Sequence, residues 1–322
     1  MNIVIFGGAG YIGTHLAKHF IEDNEDHRVV IADIQPSELA NHPQVSALHV
    51  DVRNPIPLDI CKFGKPDWIF NLAAIHREPG HEPHEYFDTN IAGAENVCGY
   101  ATAVMCQNIY FTSSISVYGP TTGPTPETAR ICPISPYGGS KFPAELIHKA
   151  WQQQGANRRL IIVRPGVVYG PKDPGNIGRM VHAIKKGYFA FPGSMDVKKS
   201  YAYIYGMLDS IRFAMARTEP VITYNYVETP TESLGTIAHM VRDHVKSKAP
   251  ILSLPTALLL PAAHLVQAIA GKRNPVHPVR VKKAGMSTHI VPQTLIDMGF
   301  EFKYPFKASL EHWNKVNPSD FA

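Results

Sequence analysis

Short runs of apolar residues recur along the first half of the chain, and they are continuous rather than alternating with polar positions. Such runs are typical of strands that are buried on both faces of a sheet. Stretches with helical spacing separate several of them, such as HLAKHFIED after the first. This alternation predicts an α/β fold with a doubly wound parallel sheet and right-handed crossovers. The runs are IVIF (3–6), RVVIAD (28–33), SALHVD (46–51), DWIFNLAA (67–74), QNIYFTSS (107–114) and RLIIVRP (159–165).

The pattern changes after the sixth run. Prolines and glycines punctuate shorter elements, as in GPKDPGNIG, and helical spacing returns at 207–217 and 232–247. We therefore expect one domain built on the parallel sheet over residues 1–170 and a smaller, partly discontinuous lobe over 171–322, with some of its segments returning to the sheet.

One later stretch, LPTALLLPAAHLVQAIAG at 254–271, is strongly apolar, but Pro261 and His264 interrupt it. A bilayer span needs ~20 apolar residues in a row, so a buried or interfacial helix is the better interpretation. The chain opens directly with MNIVIF, which has neither the charged start nor the long apolar core of a signal peptide.

Composition narrows the class of protein. A formal net charge of +4 over 322 residues suits an anionic small molecule but not the dense basic face of a nucleic-acid binder. The four cysteines form no CxxC pair, which is typical of reduced thiols in a cytoplasmic protein. His76, His81 and His84 lie close together, yet their spacing matches no known metal site, so we expect no metal.

A glycine loop follows the first run. GGAGYIG (7–13) places Gly7, Gly10 and Gly13 between a strand and a helix, where a tight turn lets backbone N–H groups face a pyrophosphate. Asp33 ends the next strand, 20 residues after Gly13. An acid there accepts hydrogen bonds from ribose hydroxyls and repels a 2′-phosphate. The sequence therefore predicts a Rossmann-type domain that binds NAD in preference to NADP.

A serine, a tyrosine and a lysine are candidates for chemistry. Tyr137 and Lys141 are four residues apart at a predicted helix start, so they share one face of the helix. Free tyrosine has a pKa near ~10, and a neighbouring cation favours its phenolate. Tyr137 could then exchange a proton with an alcohol while hydride passes to a nicotinamide, and Ser114, at a strand end, could bond the same oxygen.

Five segments together carry a resemblance to a known family. They are GGAGYIG, NLAA (71–74), FTSSISVYG (111–119), SPYGGSK (135–141) and RPGVVYGP (164–171). The chain resembles the extended short-chain dehydrogenase/reductase family, most closely its NAD-dependent nucleotide-sugar epimerase/dehydratase branch.

The resemblance implies roles by motif position. The catalytic group would be Ser114, Tyr137 and Lys141. NAD would be bound by Gly7, Gly10, Tyr11, Ile12, Gly13, Asp33, Ile34, Asp51, Val52, Leu72, Ala73, Ala74, Asn90, Lys141 and Pro165. Candidate substrate contacts are His76, Arg77, Val167, Arg179, Lys199 and Arg280.

Several positions depart from the family pattern. Val167 stands where many nucleotide-sugar enzymes have Asn, Lys199 replaces a usual Arg, and Tyr205 and Gly206 replace paired aspartates. Asn71 stands where His is common.

Two further positions bear on the reaction. In sugar 4,6-dehydratases of this branch an Asp–Glu pair follows the strand-end Thr or Ser, but here Ile115 and Ser116 follow Ser114. Neither side chain can act as acid or base at neutral pH, which argues against dehydration.

The leading hypothesis is a nucleotide-sugar epimerase. It oxidises C4, the keto sugar then rotates within the site, and the hydride returns to its opposite face. A 4-keto-sugar reductase, a sterol- or small-alcohol dehydrogenase and a non-catalytic NAD-binding regulator are the alternatives. The resemblance also implies a homodimer that pairs through helices near 90–106 and 138–153.

Overall fold

The computed structural model describes residues 1–257 and 285–322, together with 259–261, 264, 267, 278 and 281. Within these residues, seven parallel strands form the central sheet, and two pairs of three-residue strands lie outside it. In chain order the strands are β1 (Asn2–Phe6), β2 (Arg28–Asp33), β3 (Val45–His49), β4 (Trp68–Asn71), β5 (Asn108–Thr112), β6 (Arg159–Pro165), β7 (Val167–Tyr169), β8 (Ala190–Pro192), β9 (Tyr201–Tyr203), β10 (Val221–Tyr226) and β11 (Leu252–Leu254).

The sheet is wound in two directions from its centre. Its strand order is β10-β6-β5-β4-β1-β2-β3, so the order reverses between β1 and β4. In open α/β sheets ligands bind at such a point, beyond the carboxyl ends of the strands. The loops that follow β1, β4 and β5 therefore define where the functional site must lie. The small pairs are β7 with β9 and β8 with β11.

Helices cover both faces of the sheet because each strand is apolar on both sides. One face packs against the helices that carry Leu16 and Met207, and the other against those that carry Ala94 and Ala144. The helices are α1 (Tyr11–Asp23), α2 (Pro83–Ala103), α3 (Pro136–Gln153), α4 (Asn176–Lys186), α5 (Ile204–Met215), α6 (Leu234–His244), α7 (Gln293–Asp297) and α8 (Phe306–Val316).

The fold class predicted from the apolar runs is confirmed, and all six runs contain a strand of the main sheet. The strands end earlier than two of the runs suggested. β4 ends at Asn71 and β5 at Thr112, so residues 72–74 and 113–114 form the site loops. The seventh strand, β10, comes from the second half of the chain and pairs with β6. The division into 1–170 and 171–322 stays a prediction, with β10 and α5 as segments that return to the sheet.

The segment that precedes α7 joins the two halves. The backbone N–H of Thr121 donates to the carbonyl of Ser287 at 3.1 Å, and that of Thr288 donates to Lys198 at 3.0 Å. Leu295 then enters the core beside β10, while Trp313 of α8 fills a separate core with α4 and α6.

Half of the apolar stretch at 254–271 lies outside the described residues, as does Arg280. Among the residues that are described, no helix is long and apolar enough to cross a bilayer.

Candidate functional site

The glycine loop packs tightly against the end of β4. Gly7 has a φ of +76°, and a Cβ there would come within 2.6 Å of the backbone nitrogen of Ala73. A Cβ on Gly13 would lie 2.5 Å from the carbonyl oxygen of Gly7. At Gly10 the nearest atom would be 3.2 Å away, and no side chain caps α1 there. The loop therefore leaves the first N–H groups of α1 open toward a ligand, as a dinucleotide pyrophosphate requires.

Asp33 extends this cradle at the end of β2. Its two carboxylate oxygens accept from the backbone N–H of Ala9 at 3.0 Å and of Gln35 at 2.9 Å. A carboxylate can accept about four hydrogen bonds, so both oxygens keep capacity for ribose hydroxyls. Ile34 beside it is exposed. These residues fit the adenosine half of a dinucleotide.

The predicted adenine side lies after β3. Arg53 donates to Asp51 at 2.6 Å, and this hydrogen bond holds the pKa of the Asp51 carboxyl below its usual range. Val52 is buried against Gly93 of α2, which leaves no room for a Cβ at Gly93. Asp51 is thus charged and fixed in direction.

The loop after β4 carries Leu72, Ala73 and Ala74, and Asn90 of α2 holds it in place. The Asn90 side chain accepts from the N–H of Ile75 at 3.0 Å and donates to Ser140 at 2.8 Å. It acts here as a clamp between this loop and α3. Pro165 is buried at the end of β6.

The predicted catalytic residues lie at the N-terminus of α3 and the end of β5. Ser135 caps α3 by accepting from the N–H of Gly138 at 3.3 Å, and Pro136 occupies the first turn, where its missing N–H costs nothing. The structure places the Ser114 hydroxyl beside the Tyr137 phenol, where it favours the phenolate. Lys141 follows one turn later and is 1% exposed.

Burial sets the ionisation of this group. Desolvation raises the pKa of Tyr137 to about 12, opposed by the Ser114 hydrogen bond. Desolvation lowers the pKa of Lys141 to about 7, opposed by the charge of Glu145. The Lys141 ammonium also lies 4.3 Å from the ring centre of Phe111, a contact that favours the cation.

Glu145 and Arg164 form a buried ion pair that the sequence analysis missed. Two nitrogens of Arg164 donate to the two Glu145 oxygens at 2.8 and 2.7 Å, and Ser113 donates to Glu145 at 2.5 Å. Arg164 also donates to the Tyr118 hydroxyl at 2.7 Å. The available signal was the continued spacing of four residues from Tyr137 through Lys141 to Glu145.

The candidate substrate residues are spread more widely. His76 and Arg77 lie on the exposed loop after β4, next to Glu78, whose carboxylate accepts from the N–H of Tyr137 at 3.4 Å. This loop therefore borders Tyr137, the predicted catalytic tyrosine. Val167 lies on β7 opposite Tyr201 of β9.

The other candidates are engaged within the protein. The Lys199 ammonium donates to the carbonyl of Met286, and exposed Arg179 donates to Asn176 at 2.7 Å. The Tyr11 ring packs edge-on against His15, with the ring centres 4.9 Å apart. Within the described residues no group of three or more His, Cys, Asp or Glu could hold a metal ion.

A family model described as the NAD dependent epimerase/dehydratase family matches residues 3–226. The chain belongs to this family. As a member it is an NAD-dependent enzyme, which confirms the family and the cofactor predicted from the glycine loop and Asp33.

Two relatives show how the similarity is distributed. The N-acetyl-alpha-D-glucosaminyl-diphospho-ditrans,octacis-undecaprenol 4-epimerase of Escherichia coli O157:H7 is 28% identical over 315 residues, which cover 96% of this chain and 93% of the relative. The UDP-glucose 4-epimerase of Streptococcus mutans is 32% identical over 184 residues, which cover 55% of each chain.

Solved structures share the whole fold. MoeE5 in complex with UDP-glucose and NAD has a TM-score of 0.77 at 20% identity, with complete coverage of both chains. A dTDP-glucose 4,6-dehydratase from Bacillus anthracis in complex with NAD also has a TM-score of 0.77, at 19% identity, covering 99% of this chain and 98% of its own. This fold is thus shared with a 4,6-dehydratase, so the reaction must be argued from the site.

Proposed function

We propose that the protein is an NAD-dependent 4-epimerase of a diphosphate-linked sugar, with a nucleotide sugar as the substrate. Ser114, Tyr137 and Lys141 form the catalytic group. The observation that carries the proposal is the placement of the Ser114 hydroxyl beside the Tyr137 phenol, one helical turn from a buried lysine.

Each residue has a distinct task in this proposal. Tyr137 takes the proton of the C4 hydroxyl and later returns it to the same oxygen. Ser114 donates a hydrogen bond to that oxygen and fixes its distance from the phenol. The charge of Lys141 favours the phenolate, and Glu145 favours the charged form of Lys141. Bound NAD supplies the hydride acceptor and donor at C4.

Dehydration is not part of the proposal. Ile115 and Ser116 form a one-turn helix that Ser114 caps by accepting from the N–H of Ser116 at 3.1 Å. Ile115 is buried, and Ser116 has no charge to offer at neutral pH. Neither residue supplies the acid and base that loss of water from C5 and C6 needs.

A second candidate substrate is the same sugar carried on a polyprenol diphosphate. The E. coli relative, whose name specifies such a substrate, aligns over 96% of this chain, including most of the proposed substrate lobe. The S. mutans UDP-glucose 4-epimerase aligns over only 55%. Val167 and Lys199, at two of the departures noted above, suit a substrate without a nucleotide.

We further propose that the enzyme works in the cytoplasm. Its four cysteines are unpaired, and Cys98 and Cys106 are buried as thiols. This is the state expected in a reducing compartment.

The reaction is tested by incubating the protein and NAD with UDP-, GDP- and dTDP-hexoses and with a polyprenyl-diphosphate hexosamine. An epimerase yields an isomer of unchanged mass, whereas a product lighter by one water would refute the proposal. Turnover only of 4-keto sugars with NADH would favour the reductase. Turnover only of simple alcohols or sterols would favour the dehydrogenase. NAD binding with no turnover of any substrate would favour the non-catalytic regulator.

Tyr137→Phe tests the role of the phenol, because it removes only the hydroxyl group. It should lose at least ~10²-fold in turnover, the usual scale for general acid–base catalysis, while NAD still binds. Tyr188→Phe, at an exposed tyrosine, is the control and should keep full activity toward the nucleotide sugars. Near-normal turnover in Tyr137→Phe would remove this residue from the mechanism.

A further inference from the structure

The end of α4 and the chain after α6 meet at one surface of the molecule. The Ser247 hydroxyl donates to the carbonyl of Ile184 at 2.9 Å, and a Cβ on Gly187 would lie 3.6 Å from that of Ala249. Further along, β8 and β11 pair in parallel. Residues 182–195 and 244–257 therefore form a single continuous surface.

This surface is basic in an otherwise balanced chain. The whole protein has 31 Lys and Arg against 27 Asp and Glu, but 182–195 and 244–257 contain lysines and no acid. All four lysines are exposed, and none of them makes an ion pair with any residue that the structure describes. They are Lys185, Lys186, Lys246 and Lys248.

The same surface exposes large apolar side chains. Tyr188 is 64% exposed, Leu252 51% and Leu254 40%. Leu252 and Leu254 are two residues apart on β11, so they project from the same side of the strand. Apolar side chains at such exposure are unfavourable in water unless something covers them.

We propose that this basic–apolar patch (the four lysines with Tyr188, Leu252 and Leu254) docks the enzyme on an anionic lipid bilayer. Lysines meet lipid phosphates while leucine and tyrosine enter the headgroup region, a combination typical of peripheral membrane proteins. A nucleic acid would use the lysines but leave the leucines in water. The docking itself does not depend on the reaction. That it would serve a polyprenol-linked sugar rests on the proposed function.

Vesicle sedimentation tests the docking directly. The full-length protein should sediment with phosphatidylcholine vesicles that contain phosphatidylglycerol, should bind vesicles of phosphatidylcholine alone at least about tenfold more weakly, and should bind less well as salt rises. No preference for the anionic vesicles would overturn the proposal, whatever the enzyme's activity.

Charge-reversed variants locate the binding surface. Each basic residue at an anionic leaflet contributes about fivefold, so Lys185→Glu with Lys248→Glu should weaken binding at least about tenfold. Lys62→Glu with Lys65→Glu makes the same change in net charge at exposed lysines away from the patch. Equal losses in the two double variants would mean unspecific attraction and would refute the patch.

A variant that changes no charge distinguishes lipid binding from the binding of other anions. Leu252→Ser should lower vesicle binding severalfold, while Leu58→Ser, at another exposed leucine, should not. Circular dichroism of each variant reports folding. If single-stranded RNA binds as tightly as the anionic vesicles and loses affinity with the same lysine variant, the surface is a nucleic-acid site and the lipid proposal is wrong.

Discussion

Lys141 is a cationic side chain that the fold buries almost completely. Taking an ammonium out of water disfavours its charged form, which is why its pKa falls to about 7. The Phe111 ring and Glu145 offset only part of that cost. Lys141, which we propose takes part in catalysis, therefore lowers the free energy of unfolding when it is charged.

Substitution of Lys141 should reveal this burden through its pH dependence. The unfolded chain keeps the lysine proton up to ~10.5 but the folded chain only up to about 7, so the penalty is complete below pH 7 and fades as pH rises toward ~10.5. We expect Lys141→Met to raise Tm more at pH 6 than at pH 9. Thermal unfolding of both proteins across this range checks it, with Lys149→Met on the same helix as control. A pH-independent difference would contradict the lowered pKa.

Asp33 should set the choice of cofactor. We expect wild-type protein to bind NAD more tightly than NADP, because the carboxylate repels a 2′-phosphate. Asp33→Ala should reduce the difference in affinity between NAD and NADP, but it also removes the hydrogen bonds from the N–H groups of Ala9 and Gln35. Asp33→Asn keeps an acceptor without the charge and isolates the electrostatic part. Calorimetric titration of both cofactors decides it, and a wild-type preference for NADP would show that Asp33 does not contact the ribose.

At the scale of elements, α3 organises the site. Tyr137, Lys141 and Glu145 occupy successive turns of one face, and the last of them is clamped to β6 by Arg164. The pair fixes the helix against the strand. It also places the negative charge of Glu145 near Lys141. The same ion pair therefore holds α3 in position and favours the charged form of Lys141.

Breaking that pair should be costly. Glu145→Ala leaves the Arg164 guanidinium buried and unpaired, a change that typically costs about 3–5 kcal/mol of unfolding free energy. Urea unfolding measures it, and Glu95→Ala on the exposed side of α2 is the control. Glu145→Ala combined with Arg164→Ala should cost less than the sum of the two single changes. A loss below ~1 kcal/mol for Glu145→Ala would mean that water reaches the guanidinium.

The elements differ in how far their sequence predicts them. Strands β1, β2, β4, β5 and β6 are apolar on both faces, so their runs stand out without knowledge of the fold. Strands β7, β8, β9 and β11 have three residues each, too few for any periodicity. Their pairing depends on contacts between segments far apart in the chain.

The site divides in the same way. Glycines 7 and 13 and the Tyr137–Lys141 spacing follow local rules of turn and helix. Arg164, in contrast, could be recognised as buried only once β6 was placed beside α3. The internal hydrogen bond of Lys199 likewise needed the position of Met286.

For the whole molecule, dimerisation stays a prediction. α2 and α3 pack side by side, and Leu146 of α3 is 49% exposed on their outer surface. If two subunits pair there, Leu146→Asp should convert a dimer to a monomer in light scattering. Leu58→Asp, at a leucine 61% exposed elsewhere, should not. A wild-type monomer, or a dimer unaffected by Leu146→Asp, would exclude this interface.

The late entry of Leu295 and Trp313 into two cores has a consequence for synthesis. A ribosome has made every strand of the main sheet before it reaches these residues. The core beside β10 then still lacks Leu295, and the core of the second half lacks Phe306, Leu310 and Trp313. Until they emerge, the nascent chain keeps apolar core surface uncovered, which favours aggregation. A chain that ended near residue 290 would therefore keep its cofactor residues but leave both cores incomplete.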